Sequence, residues 1–441
     1  MWNMSEIIIK NISSLAVTEP RKKILNAVEE TMARLDPSGI VRQSLSFFSE
    51  DIPEDVRIIG FGKASARMVA GALEVLREPV YAGIIIPNGM EQPDLPGEVQ
   101  VLRGSHPILD FSSIESTRKI LSNMKDLKDS SVVIVLISGG GSALFELPAD
   151  GISLQDFASV SKCVMNSGGN IRELNGIRYM MSQVKGGKLA RFLYPARVTA
   201  LIISDVPGDD ISVIASGPLV PPDMPGNVIR ENLEKFSALC PDLARMKDKL
   251  DLNLPESYDG MFRKVQNRII LKNSDFVDSI ANILREDGSI VRVLYEPVTG
   301  DVEKVSDFFV ETARTMYADL RKPLFLVGGG ETTVTVHGNG IGGRNCQLSV
   351  MVSALFGKDE EFAFASLGTD GIDGVSPAMG GITDNVFRNE ATEKEVEASL
   401  DNNDTYTLLD KYRSAVISGF TGNNVSDIFI CYYAGNNASP Q

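Results

Sequence analysis

The chain has 441 residues, more than one hydrophobic core usually serves, so two domains are expected. Apolar residues make up 43% of the chain and charged residues 23%, a balance typical of soluble globular proteins. The formal net charge of −15 argues against a nucleic-acid-binding protein, which needs a basic surface. An acidic protein can still bind anions where local cations and backbone N–H groups reverse the potential, so lysines and arginines beside glycines are of interest.

The cysteine pattern predicts free thiols. Cys163, Cys240, Cys346 and Cys431 lie far apart without a CxxC pair, which argues against both a zinc site and a disulfide framework. Solitary thiols, and an N-terminal segment without the basic flank of a secretory signal, favour a cytoplasmic location. Apolar runs such as Ser131–Ile137 are short and end in glycine, so they predict buried strands and no membrane span.

A strand, a glycine turn and then a helix recur through much of the chain. The first helix is predicted over Pro20–Leu35, where apolar residues follow helical spacing. Buried strands are predicted at Val56–Gly62, Tyr81–Gly89 and Ser131–Ile137, within Val198–Asp210 and at the start of Arg268–Glu286. This alternation predicts an α/β protein with a Rossmann-like, doubly wound parallel sheet.

The pattern changes near Tyr317–Pro323, where we place a domain boundary. Residues 1–318 are predicted to form the Rossmann-like domain, and residues 319–441 a smaller mixed α/β domain. The alternating run Thr332–Gly338 predicts a β-hairpin. Three further predicted elements are a helix over Gln347–Phe356 and strands over Phe362–Gly371 and Ile428–Tyr433.

The first glycine turn reads G60-x-G62-x-x-S65 after a strand. As a dinucleotide fingerprint it is defective, because Ser65 replaces the third glycine and the next strand ends in Pro87 and Asn88 instead of an acid. Lys63 and the start of the following helix instead predict a carboxylate or phosphate site. A tight turn with a solvated lysine is the alternative.

The second glycine turn, Ser138–Glu146, gives a stronger signal. Three consecutive glycines with Ser138 and Ser142 supply N–H and O–H donors at the end of a buried strand, where doubly wound sheets bind ligands. The pattern is not a Walker A loop, since GxxxxGK[ST] is absent from the chain. A flexible turn without function is the alternative.

Basic residues are frequent in the segment Ser167–Ala190. Arg172 and Arg178 are six residues apart, so a helix would not place them on one face. Arg172 and Lys188 are interpreted as solvated. Lys185, which precedes a glycine pair, is a candidate for phosphate contact.

Later glycine-rich segments supply an arginine and two acids. Arg344 follows two glycines at the predicted start of a helix, where it could clamp an anion or pair with a carboxylate of its own chain. Asp205 and Asp370 end predicted strands, the place expected for ligands of the divalent cation that phosphoryl transfer requires. Asx turns are the alternative, which we favour for Asp209 and Asp210.

The chain has only two histidines, His106 and His337, which form neither a zinc site nor a triad. A lone histidine is more often a structural hydrogen-bonding group, although His106 stays a candidate cleft residue.

Several motifs together resemble the glycerate kinase family with a C-terminal MOFRL-type domain, whose members are also described as hydroxypyruvate reductase-like. They follow the family order over nearly the whole chain, and the longest are the most specific. The motifs are GFGKAS (60–65), GSHP (104–107), SGGGSAL (138–144), IRELNGIRYMMSQVKGGKLA (171–190), SDVPGDDISVIASGP (204–218), GGGETTVTVHGNGIGGRN (328–345), GTDGIDG (368–374) and TGNNVSD (421–427).

The resemblance implies two α/β domains, ATP and Mg²⁺, and catalytic or substrate-binding roles for Lys63 and Arg344. It implies ATP-dependent phosphorylation of D-glycerate, which we assign to the 2-hydroxyl. The alternatives are phosphorylation of the 3-hydroxyl, an NAD(P)H-dependent hydroxypyruvate reductase and a non-catalytic sensor. The expected partners are small molecules, with neither nucleic acid nor membrane, and a homodimer is kept open.

The site prediction combines the resemblance with the residue patterns. It assigns Lys63 and Arg344 to catalysis, Lys63, Ser65, His106 and Arg344 to the substrate, Ser138, Gly139, Gly140, Gly141, Ser142 and Lys185 to ATP, and Asp205 and Asp370 to the metal.

Overall fold

The structure is a computed structural model that describes residues 7–46 and 52–436, so part of the N-terminal segment used for the signal prediction lies outside it. It divides into two compact units. The parallel-sheet unit is Pro37–Leu271, and the mixed-sheet unit combines Met1–Asp36 with Lys272–Gln441. These units differ from the predicted division at residue 318, because the N-terminal helix and residues 272–318 pack with the C-terminal part of the chain.

Thirteen strands occur in the described residues. They are β1 Val56–Phe61, β2 Tyr81–Pro87, β3 Val99–Gly104, β4 Val132–Ile137, β5 Arg197–Ile203, β6 Val265–Leu271, β7 Val291–Val293, β8 Val298–Asp301, β9 Leu324–Thr333, β10 Glu360–Gly368, β11 Gly380–Asp384, β12 Ala415–Val416 and β13 Asp427–Asn436.

Seventeen α-helices accompany them in the same residues. They are α1 Ile12–Leu15, α2 Glu19–Arg34, α3 Pro37–Ser44, α4 Ser65–Leu76, α5 Phe111–Ser122, α6 Gly141–Leu144, α7 Leu154–Asn166, α8 Ile171–Met181, α9 Lys188–Leu193, α10 Gly226–Ser237, α11 Pro241–Met246, α12 Asn273–Glu286, α13 Val302–Leu320, α14 Arg344–Leu355, α15 Asn385–Glu390, α16 Glu393–Asp401 and α17 Thr405–Lys411.

The parallel-sheet unit contains six strands in the order β3-β2-β1-β4-β5-β6, and every neighbouring pair is parallel. Strand β4 is buried along its whole length, as an apolar run in the centre of a doubly wound sheet should be. The chain order reverses between β1 and β4, so the carboxyl ends of these strands mark the switch point where such sheets bind ligands. The predicted α/β fold class with a doubly wound parallel sheet is confirmed.

The mixed-sheet unit is built on a seven-stranded sheet. Six strands run in the order β12-β11-β10-β13-β9-β7, and β8 also pairs with β9. The pairs of β9 with β7 and β8 are parallel, and the others are antiparallel. Phe309 of α13 packs edge-on against Phe364 of β10 and Phe429 of β13, which places helix α13 against the apolar centre of this sheet.

The β-hairpin predicted at Thr332–Gly338 is wrong. Strand β9 ends at Thr333, and no strand follows before α14 begins at Arg344. The backbone instead binds another loop, since the N–H groups of His337 and Gly338 donate to Asn403 Oδ1 at 2.7 and 3.1 Å. The alternating residue pattern therefore reflects an extended segment whose partner is a side chain and not a second strand.

The prediction of four free thiols is also wrong. Cys163 of α7 and Cys240, which precedes α11, form a disulfide across 77 residues, while Cys346 and Cys431 are free and buried. Sequence spacing could not indicate the pair, because helix packing brings its two residues together. The cytoplasmic location stays a prediction, now without its argument from solitary thiols. The described segments contain no helix with the length and apolar character needed to cross a membrane.

Candidate functional site

The two glycine turns of the parallel-sheet unit meet at the switch point. The N–H of Lys63 donates to the carbonyl of Gly139 at 2.9 Å, and the N–H of Ala64 donates to Ser138 Oγ at 3.0 Å. Gly62 has a φ of +123°, and a Cβ at this position would lie 2.5 Å from the Ser138 carbonyl oxygen. Only glycine therefore permits this approach of the two turns.

A cavity of about 300 Å³ opens over the second turn. Seven of the predicted site residues line it: His106, Ser138, Gly139, Gly140, Gly141, Ser142 and Asp205. Its remaining lining residues are Pro107, Ala143, Ile171, Asn175, Arg178, Val206, Val213, Ala215 and Ser216. The predicted cradle and the predicted acid at the end of β5 thus face one cavity in one unit.

The cavity wall offers several hydrogen-bond donors. Within the described residues, the backbone N–H groups of Gly139 and Gly140 make no hydrogen bond to the protein. Ser142 Oγ lies 3.2 Å from Ser216 Oγ. Backbone N–H groups and hydroxyls gathered in a concave turn are the donors that bind phosphate or carboxylate oxygens.

Beside the triple-glycine turn lies a left-handed turn at Ala215–Gly217, which also contributes to the cavity wall. Ala215 and Ser216 have φ values of +51° and +61°, which are rare for residues with a side chain and often store strain at functional sites. Lys185 Nζ donates to the carbonyls of Ala215 at 3.0 Å and Gly141 at 3.3 Å. The amides of Gly186–Gly187 bind the next two carbonyls of the turn. Lys185 therefore links the triple-glycine turn to the Ala215–Gly217 turn without lining the cavity itself.

Lys185 is buried and does not line the cavity, so its predicted phosphate contact stays a prediction that this geometry does not favour. Burial lowers the pKa of Lys185 to about 8, against the attraction of Glu146. Burial likewise raises the pKa of Glu146, whose Oε1 accepts from Ser182 Oγ at 2.5 Å and from the N–H of Leu147 at 2.9 Å. Both side chains are buried, and neither lines the cavity.

Sequence reasoning missed Asn175, Arg178 and Ser216 as cavity residues. A signal was present for the first two, because a spacing of three on a helix places Asn175 and Arg178 on one face. Arg172 was expected to be solvated, and its side chain is indeed 65% exposed, with Nε 3.4 Å from Asp223 Oδ2. The solvated reading of Lys188 is wrong, because its side chain is 4% exposed and forms an ion pair with Asp251.

Two predicted residues of the first turn lie outside the cavity lining. Ser65 is fully buried, and its hydroxyl donates to the carbonyl of Gly62 at 2.8 Å. Lys63 follows the close approach of the two turns and is half-buried. Their assignment to substrate binding stays a prediction.

In the mixed-sheet unit, Arg344 begins α14 and is already paired. Its Nε and Nη2 donate to the two carboxylate oxygens of Asp427 at 2.5 and 3.0 Å, and Nη1 lies 2.9 Å from Glu331 Oε1. Burial opposes the charge, but attraction to Asp427 and then Glu331 outweighs it and raises the pKa of Arg344. Arg344 therefore pairs with carboxylates of its own chain, which was the alternative to anion binding. Its catalytic role stays a prediction.

The acids of the GTDGIDG segment hold backbone in place. Asp373 is buried and accepts from the N–H groups of Asn345 and Cys346 at 3.1 and 2.7 Å, at the start of α14. Burial raises the pKa of Asp373 to about 6, against these two hydrogen bonds. Asp370 Oδ1 accepts from the N–H of Ile372 at 3.3 Å, an Asx turn.

A metal site made of protein ligands alone is absent from the described segments, since no three His, Cys, Asp or Glu side chains come together there as ligands. Mg²⁺ usually keeps several waters and binds one or two carboxylates together with substrate phosphates. Asp205, on the wall of the cavity, fits that requirement. Asp370 lies in the other unit, and its metal role stays a prediction.

The fold and this cavity define a two-unit α/β protein whose parallel-sheet unit has a cavity lined by hydrogen-bond donors at its switch point. Residues 23–246 match the model of a family described as a domain of unknown function, DUF4147, and residues 324–427 match the MOFRL family. The chain belongs to the glycerate kinase family that joins these two domains, as the motifs predicted.

Similar proteins cover nearly the whole chain. A protein of Picrophilus torridus named glycerate 2-kinase is 41% identical over 97% of this chain and 99% of its own length. A solved glycerate kinase structure from Thermotoga maritima is 31% identical, with a TM-score of 0.83 over 94% of this chain and all of that one. A protein of Agrobacterium vitis named putative hydroxypyruvate reductase is 35% identical over 84% of this chain and 97% of its own length.

Proposed function

We propose that this protein is a glycerate 2-kinase, which transfers a phosphoryl group from ATP to the 2-hydroxyl of D-glycerate. The similarity to glycerate 2-kinases over nearly the full chain carries the proposal. The structure contributes a matching site, because the donor-rich cavity at the switch point suits the phosphates of a nucleotide.

The residues of the cavity give the proposal a mechanism. The amides of Gly139 and Gly140, with the hydroxyls of Ser142 and Ser216, hold phosphate oxygens. Phosphoryl transfer passes through a loose transition state, so positioning and charge neutralisation supply most of the acceleration. The fixed N–H donors do this without reorganising during the reaction.

Asp205 on the cavity wall would hold Mg²⁺. A metal bound there would neutralise charge on the phosphates. Lys63 and Arg344 keep their proposed roles in binding the glycerate carboxylate or the transferred group. Lys63 lies in the parallel-sheet unit and Arg344 in the mixed-sheet unit.

The reductase alternative needs a nicotinamide site at the first turn. There the side chain of Ser65 fills the position of the third fingerprint glycine, and β2 ends at Pro87 without a ribose-binding acid. A transfer to the 3-hydroxyl would use the same cavity, so the structure does not favour it over the 2-hydroxyl.

The test is a pair of assays on the full-length protein. With ATP, Mg²⁺ and D-glycerate, we expect ADP to form only when all three are present. With NADH and hydroxypyruvate, we expect no loss of absorbance at the wavelength of NADH. Oxidation of NADH without glycerate-dependent ADP release would contradict the proposal.

A further inference from the structure

Arg344 and Arg178 differ in whether a carboxylate of the protein compensates their charge. Arg344, which the sequence singles out, is held by Asp427 and Glu331 and has its charge compensated within the protein. Arg178 lines the cavity of the parallel-sheet unit, and residues 7–46 and 52–436 supply it with no ion pair. The better free anion binder is therefore the arginine that sequence reasoning passed over.

Glu146 is the acid that acts electrostatically on Arg178, but its carboxylate is hydrogen-bonded to other residues. Burial lowers the pKa of Arg178, and Glu146 only partly offsets this. Glu146 itself is 2% exposed, accepts hydrogen bonds from Ser182 and Leu147, and interacts electrostatically with Lys185. A half-buried guanidinium without a carboxylate partner is stabilised when an oxyanion enters beside it.

The orientation of Arg178 suits a ligand in the cavity. Its Nε–H donates to Ser161 Oγ at 3.2 Å, and this is the one hydrogen bond that its side chain makes to the described part of the chain. The bond fixes the plane of the guanidinium and leaves Nη1 and Nη2 as donors. Asn175, one turn earlier on α8, lines the same cavity.

We propose that Arg178 binds an oxyanion of the ligand through its two terminal nitrogens, with Ser161 orienting the guanidinium. The oxyanion is a phosphate of the nucleotide or the carboxylate of the acceptor. This inference rests on the proposed function for the identity of those ligands. It adds to the predicted site a cation that contacts the ligand from within the cavity.

The experiment measures binding without turnover. Wild-type protein and the variants Arg178→Ala, Arg178→Lys and Arg172→Ala are titrated by calorimetry with ATP plus Mg²⁺, and separately with D-glycerate. Arg172 is the matched control, since it lies on the same helix and carries the same charge but is 65% exposed. Circular dichroism and thermal unfolding check that each variant folds.

We expect Arg178→Ala to bind one of the two ligands about 10- to 100-fold more weakly, the loss typical of a charged hydrogen bond. Arg178→Lys should recover part of that affinity, because it keeps the charge but not the planar fork. Arg172→Ala should stay within about twofold of wild type. A loss for ATP identifies the phosphate as the partner, and a loss for D-glycerate identifies the carboxylate.

Unchanged affinity of both Arg178 variants for both ligands would overturn the inference, as would an equal loss in Arg172→Ala. Failure of the wild type to bind either ligand would overturn it together with the proposed function. Wild-type protein that binds both ligands but forms no phosphoglycerate would refute the proposed function alone. In that case the affinity of Arg178→Ala still decides the inference.

Discussion

At the scale of single residues, Gly140 shows how tightly the cavity is built. Its φ of +84° lies in the left-handed region, and a Cβ there would lie 3.0 Å from Cδ2 of His106. Substitution therefore adds backbone strain and also displaces the imidazole that lines the cavity. Gly168 offers a comparison, because its φ is +78° and a Cβ there would meet nothing within 4 Å.

Gly140→Ala is predicted to weaken ATP binding about 10-fold or more, whereas Gly168→Ala leaves ATP affinity within about twofold of wild type. Both variants should lose about 1–2 kcal/mol of folding stability, since each forces a side chain into the left-handed region. Titration with ATP and chemical denaturation measure the two effects. Equal ATP affinities of the two variants would show that the His106 contact does not matter for binding.

At the scale of elements, helix α2 is fixed to the C-terminal part of its unit by a buried ion pair. Arg21 Nη2 lies 2.6 Å from Asp384 Oδ1, and the two side chains are only 1% and 2% exposed. Arg21 also donates to the carbonyl of Arg413 and to Ser414 Oγ. Lys23, on the same helix, pairs with Asp287, but there both side chains are partly exposed.

Arg21→Ala is predicted to lower the free energy of unfolding by about 3–5 kcal/mol, because it leaves the Asp384 carboxylate buried and uncompensated. Lys23→Ala, the matched control, should cost less than about 1 kcal/mol, as exposed pairs do. Urea unfolding of the two variants measures this difference. A small effect of Arg21→Ala, comparable to the control, would mean that the buried pair contributes little to docking of the helix.

The elements that sequence could predict are those with a local signal. β1 and β4 are short apolar runs that enter glycine turns, and topology alone brings the ends of such strands together at a switch point. The hairpin at Thr332–Gly338 failed because alternation cannot tell whether a strand or a side chain, here Asn403, provides the partner. Strand β3, with its mixed burial, carries no strong pattern and was not predicted.

The site residues also differ in whether a local sequence signal reveals them. Ser138, Gly140 and Asp205 lie just beyond the carboxyl ends of strands β4 and β5, so their place in the cavity could be predicted. The roles of Lys185 and Arg344 depend on partners distant in sequence: the Ala215 carbonyl 30 residues away and Asp427 83 residues away. Whether a lysine or arginine side chain can bind a ligand depends on such tertiary partners, and residue spacing in the sequence does not reveal them.

At the scale of the whole molecule, the net charge of −15 opposes the approach of ATP and glycerate. Binding therefore depends on local donors that outweigh the overall field. The cavity provides them as free amides of Gly139 and Gly140, paired hydroxyls and the guanidinium of Arg178. Lys185 supports the site without lining it, since its Nζ donates to the carbonyls of Gly141 and Ala215.

The most direct test is the identity of the phosphorylated product. The full-length protein is incubated with ATP, Mg²⁺ and D-glycerate, and the mixture is analysed by ³¹P NMR against authentic phosphoglycerates. We expect 2-phosphoglycerate, formed together with an equal amount of ADP. Formation of 3-phosphoglycerate, or the absence of any phosphorylated glycerate, would contradict it.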